Sequence, residues 1–110
     1  MHVPTAFAME EEDAWGMIGR HPFGVLVTVR DGLPFGTHLP FVRDGDALVG
    51  HLARANPQAM GLDGAEALAV FSGPHAYVSP AWYGDGPAVP TWNYEAVHAY
   101  GAAGCWKARS

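Results

Sequence analysis

The sequence predicts a small, mainly β fold, an antiparallel barrel or sandwich carrying two short helices, on three observations. Six extended runs rich in β-branched and aromatic residues follow one another at short spacing, over 23–30, 33–42, 47–53, 66–73, 76–79 and 92–101. Asp-Gly pairs at Asp31-Gly32, Asp44-Gly45 and Asp63-Gly64 punctuate them. Only two stretches carry helical signals and both are short, too few to supply the crossover helices of a parallel α/β sheet. With 110 residues, no internal repeat and no low-complexity linker, the chain is one domain.

Taken in order, residues 1–8 contain Pro4 and no clear period, and read as an extended arm packing through Val3 and Phe7. A helix is expected over 10–19. Its acids Glu10 to Asp13 complement the positive end of the dipole, Trp15 and Ile18 share a face, and His21-Pro22 ends it. Two extended runs around Asp31-Gly32 make a hairpin, and Pro34 and Pro40 place its second strand at an edge because each lacks a ladder donor. In 47–53, His51 shares a side with small residues, and Gly50 leaves room for a close approach to the backbone. Asn56-Pro57 opens a short helical turn reaching Met60 and Leu62, with Asn as cap and Pro at the first helical position. Residues 80–90, with two Gly and three Pro, form a long loop. In 92–101, Tyr94, Ala96, His98 and Tyr100 share one face, with Val97 and Ala99 on the other. The tail 102–110 shows neither period and is expected to be loosely packed.

Composition narrows the function classes. Eleven acids stand against six scattered bases, a net charge of −5 that disfavours direct nucleic-acid binding. A 49% hydrophobic and 15% charged chain of this size has more apolar surface than a monomer hides easily, so a homo-oligomer is expected. The single cysteine, Cys105, makes no internal disulfide, and no apolar run approaches a membrane span; a cytoplasmic protein is the expectation.

Six histidines at 2, 21, 38, 51, 75 and 98 have no local metal-ligand spacing, so no metal is expected; His38, His51 and His75 read as hydrogen-bonding groups near strand ends. Ser72 and Ser79 lie in no nucleophile motif, which argues against a hydrolase. In HLARANPQ, Arg54 and the amides of Asn56 to Ala59 form a candidate anion site. Residues 69–101 hold all four Tyr and two of the four Trp, either a surface for a planar ligand or a plug for a barrel end. A flat ring bearing a phosphate fits both features, and nucleotides, pyridoxal phosphate and flavin mononucleotide (FMN) all answer that description.

The stretches HPFGVLVT, THLPF, GHLARANPQ, FSGPHAYVSPAWY and VPTWNYEAVHAYG are collinear over residues 1 to about 101. Together they resemble the PaiB-type negative transcriptional regulators of the FMN-binding split-barrel superfamily. The resemblance implies a Greek-key split barrel that dimerises, with FMN in clefts between subunits. It implies that Thr37 and His38 lie on the strand along the flavin ring, that His51, Ala53, Arg54 and Asn56 form the phosphate side, and that Trp92, Asn93 and Tyr94 are brought by the opposite subunit. Family members continue beyond the equivalent of Gly101, so 1–101 reads as an incomplete FMN-binding domain and 102–110 as an atypical tail.

The resemblance also implies negative regulation of transcription, here without a helix-turn-helix or a basic surface, hence through a partner or a flavin state. Two rivals follow. One is an FMN-dependent oxidoreductase of the pyridoxamine phosphate oxidase or flavin reductase kind, with His38, His75 and Tyr94 as candidate proton donors; the other is a non-functional fragment.

Overall fold

The computed structural model describes the backbone of residues 2–4, 6–7, 11–78 and 91–104, and the side chains of 11–74 and 95–104. Among these residues the order is β1 (His2–Pro4), β2 (Ala6–Phe7), α1 (Glu11–Arg20), β3 (Phe23–Arg30), β4 (Leu33–Pro40), β5 (Val42–Asp44), β6 (Ala47–Val49), a 3-10 turn (Pro57–Ala59), β7 (Glu66–Val78) and β8 (Thr91–Ala102). All strand pairing is antiparallel. Five strands form one sheet in the order β2-β8-β7-β3-β4, and three form another in the order β1-β6-β5. The mainly β expectation holds.

The β3–β4 hairpin forms as the sequence dictates. Asp31 (φ 51°) and Gly32 (φ 77°) are both left-handed, the backbone that a tight two-residue turn of matching twist needs. β4 is an edge strand of the larger sheet, where Pro34 and Pro40 cost least. α1 begins one residue later than expected and buries Ala14, Trp15, Met17 and Ile18. Its Trp15 ring also lies under the Arg43 guanidinium, 4.3 Å from the ring centre, a contact that ties α1 to the smaller sheet.

The core lies on the inner face of the larger sheet. Residues directly opposite in antiparallel strands point to the same side. Leu26 of β3 therefore shares a face with Ala69 of β7 and, one strand further, Ala99 of β8; Phe71 and Val97 form the neighbouring rung. All five are essentially buried, and Phe41 meets Phe71 edge-on with ring centres 5.4 Å apart.

Several boundaries differ from expectation. The runs 66–73 and 76–79 are one strand of 13 residues, because Gly73-Pro74 shifts the register between Ser72 and His75 without ending the ladder. β6 stops at Val49, and the close approach expected at Gly50 is made by Leu39: a Cβ there would lie 2.7 Å from Leu39 Cδ1. The arm contributes two short strands, one to each sheet; its side chains, including Val3 and Phe7, lie outside the described residues. The expected second helix is a single 3-10 turn.

The tail begins later than expected. β8 continues to Ala102, Ala103 is buried, and bonds from Ala103 N to Ala65 O (2.8 Å) and from Gly64 N to Ala103 O (2.7 Å) hold the chain in place. Residues 80–90 and 105–110 lie outside the described residues.

Candidate functional site

Residues 53–60 are a succession of tight turns. Asn56 N donates to Ala53 O (3.0 Å), Ala59 N to Asn56 O (3.0 Å) and Met60 N to Pro57 O (3.2 Å). Asn56 caps the 3-10 turn as its residue type predicts, its Oδ1 accepting from Gln58 N at 2.9 Å. These bonds correct one expectation. The amides of Asn56, Gln58 and Ala59 are all spent inside the turn and Pro57 has none, so the backbone offers no anion nest.

Arg54 remains. It is exposed and has no hydrogen-bond or ion-pair partner among the described residues, in a chain of net charge −5. An unpaired guanidinium on a turn of fixed geometry suits a phosphate dianion, which it can grip with two parallel N–H bonds. His51 and Ala53, on the same connection, are also exposed.

The turn is docked on the β3–β4 hairpin. Asn56 Nδ2 donates to Thr37 Oγ1 at 2.9 Å, bringing together two of the residues singled out from the sequence. Arg30 Nη1 donates to Pro57 O at 3.0 Å. Sequence reasoning missed Gln58, which is 3% exposed. Its Nε2 donates to Leu26 O (3.0 Å), Thr28 Oγ1 (3.1 Å) and Phe35 O (3.0 Å). Its Oε1 is buried with no partner among the described residues, a cost of about 1–3 kcal/mol that the donor bonds offset.

Thr37 and His38 lie on opposite faces of β4. Neighbours on a strand point to opposite faces, and here Thr37 lies opposite Leu26 on the inner side while His38 lies opposite Val25 on the outer side. His38 is exposed and stacks on Phe23, ring centres 6.1 Å apart. A ring lying along one side of β4 meets one of them, not both.

Trp92, Asn93 and Tyr94 belong to β8, opposite Tyr77, Ala76 and His75, and their side chains lie outside the described residues. β3 pairs with β7 only over 67–71, so the rungs joining 75–78 to 91–94 run past the body of the sheet as a two-stranded ribbon. At about 3.3 Å per residue, Val78 lies roughly 20 Å beyond the last rung shared with β3.

A groove of about 670 Å³ lies elsewhere, between α1 and β8. Glu12, Asp13 and Glu95 line it beside Arg20, so its charge repels a phosphate. Among the described residues no group of three or more His, Cys, Asp or Glu is placed to hold a metal.

Residues 1–109 match the family model described as "Putative FMN-binding domain". The chain belongs to this FMN-binding family. The match extends through residues 102–109. Membership makes FMN the cofactor of the chain, and an exposed Arg54 with no partner among the described residues fits its phosphate.

Among the relatives of this family member is "Protease synthase and sporulation protein PAI 2" of Bacillus subtilis (strain 168), 42% identical over 109 residues, covering 94% of this chain and 52% of that protein. "Uncharacterized protein YKL070W" of Saccharomyces cerevisiae is 30% identical over 129 residues, covering 92% of this chain and 76% of that protein. The chain thus spans about half the length of PAI 2. A solved structure, "Structure of the FAD and Heme binding protein from Mycobacterium smegmatis", superposes with a TM-score of 0.70 at 23% identity, over 87% of this chain and 45% of that one. That likeness shows the shared split-barrel fold. No helix among the described residues is long and apolar enough to cross a membrane.

Proposed function

We propose that the chain is the cofactor-holding part of a cytoplasmic, homodimeric PaiB-like regulator. Arg54 receives the FMN phosphate, the Asn56–Thr37 pair fixes the wall beside it, and the 91–94 segment of the opposite subunit completes the cleft. The observation that carries this reading is an exposed Arg54, without a partner among the described residues, on a turn bonded to β3 and β4. FMN, when bound, supplies one- and two-electron redox chemistry. The chain's own part is to bind and orient it. The name of PAI 2 ties that protein to protease synthesis and sporulation, and a role of that class is proposed here, exerted through a partner or a flavin state rather than by gripping DNA.

A second copy is supported by the outer face of the larger sheet. Phe23, Val25, Val27 and Val29 of β3 share it with Leu68 and Val70 of β7. No Asp, Glu, Lys or Arg occupies this side of β4 over 34–40, of β7 over 68–72 or of β8 over 96–100. Phe23 is 62% and Val29 63% exposed, the profile of a surface that an assembly covers.

The test is to purify the chain, load it with FMN, remove the excess, and record visible absorbance with the molar mass in solution. A yellow dimer is expected, and Arg54→Ala should weaken FMN binding by about 30- to 100-fold. A colourless chain that neither dimerises nor takes up FMN overturns the reading. Retention on DNA at moderate salt contradicts the indirect mode of regulation.

A further inference from the structure

We infer that Gln58 is a positioning residue for the phosphate side of the cofactor cleft: its carboxamide sets where Arg54 stands. This rests on the FMN reading above.

Arg54 occupies the turn closed by Asn56 N to Ala53 O, three residues before the 3-10 turn, and among the described residues that run has few hydrogen bonds to the rest of the molecule. The Arg30 bond to Pro57 O is exposed, and the Asn56 bond to Thr37 is partly buried. Gln58 supplies the buried ties, to Leu26 and Thr28, and a partly buried one to Phe35. One NH₂ group serves three acceptors, on residues 32, 30 and 23 positions away, so at least one N–H is shared between two of them. Those acceptors lie on both strands of the hairpin, Leu26 and Thr28 on β3 and Phe35 on β4. A shift of the turn along or across the hairpin breaks at least one bond, so the carboxamide fixes the turn in two directions. An apolar side chain of the same length fills the space without specifying either direction. Gln58 itself is too buried to touch a phosphate, and its effect on binding passes through Arg54.

The experiment compares FMN with riboflavin, which has the same ring and ribityl chain but no phosphate. Dissociation constants are measured by quenching of flavin fluorescence for the native chain, Gln58→Met, Arg54→Ala and the double variant. The positioning role predicts that Gln58→Met weakens FMN about tenfold and leaves riboflavin unchanged, and that its effect disappears in the Arg54→Ala background. Equal weakening of both flavins, or a Gln58→Met effect that persists without Arg54, overturns the inference and leaves the FMN reading standing. A native chain that binds neither flavin overturns both. If Gln58→Met does not fold, Thr28→Val removes one acceptor with little change of shape. The same selective loss, about threefold, is then expected; no difference between FMN and riboflavin counts against the inference.

Discussion

The two faces of β3 make an instructive contrast. On the inner side Gly24, Leu26 and Thr28 are buried; on the outer side Phe23 and Val29 are exposed and Val25 and Val27 half-buried, although these four are as apolar as anything inside. An antiparallel sheet with one wet face normally alternates apolar with polar residues. Here the alternation is between one apolar face and another. The burial that a single copy provides accounts for the inner set alone, and the outer set has a reason to be apolar only when something covers it.

The contrast can be broken from either side. The largest effect is expected inside: Phe71→Ala removes a ring that is wholly buried against Phe41 and should cost about 3–5 kcal/mol, read as a lowered midpoint in chemical denaturation. Outside, Val27→Lys should leave the circular dichroism spectrum intact while weakening self-association by at least about 100-fold, read by multi-angle light scattering across a dilution series. A lowered midpoint with unchanged mass would mean that Val27 is a core residue after all. The comparison sharpens at β4. Thr37→Val removes the hydroxyl that accepts from Asn56 and should cost about 1 kcal/mol of stability, whereas His38→Ala on the opposite face should cost less than about half of that in a monomeric state. Between these two lies Arg43→Ala, where loss of the contact over Trp15 should cost about 0.5–1 kcal/mol, seen in the same denaturation curves.

What the sequence made legible was what neighbouring residues decide among themselves. The hairpin turn needs two left-handed residues and Asp31-Gly32 provides them; the 3-10 turn needs a cap and Asn56 is a good one. The same local reading, applied to β4, already separates Thr37 from His38, since alternation puts adjacent residues on opposite faces. The family resemblance spoke for their segment and not for their side chains.

What stayed hidden depends on partners far away in the chain. Gln58 looks like any polar turn residue until Leu26, Thr28 and Phe35 are folded beside it. The loss of the expected anion nest has a related cause, because a turn this tight uses its own N–H groups. Gly73-Pro74 reads as a strand end, yet pairing with β8 on both sides of it carries the ladder through. Gly50 announces a close approach to the backbone, and only the folded chain reveals that Leu39 makes it.

The arm at the start of the chain pairs with both sheets. β1 closes on β6 and β2 on β8, with a single residue between them, so a few rungs stitch the small sheet to the large one. Such a stitch opens as a unit. Amide hydrogen exchange in 47–49 should therefore track any loosening of residues 2–4, and a bulky fusion placed at Met1 would be felt first in the smaller sheet, where β1 is seated.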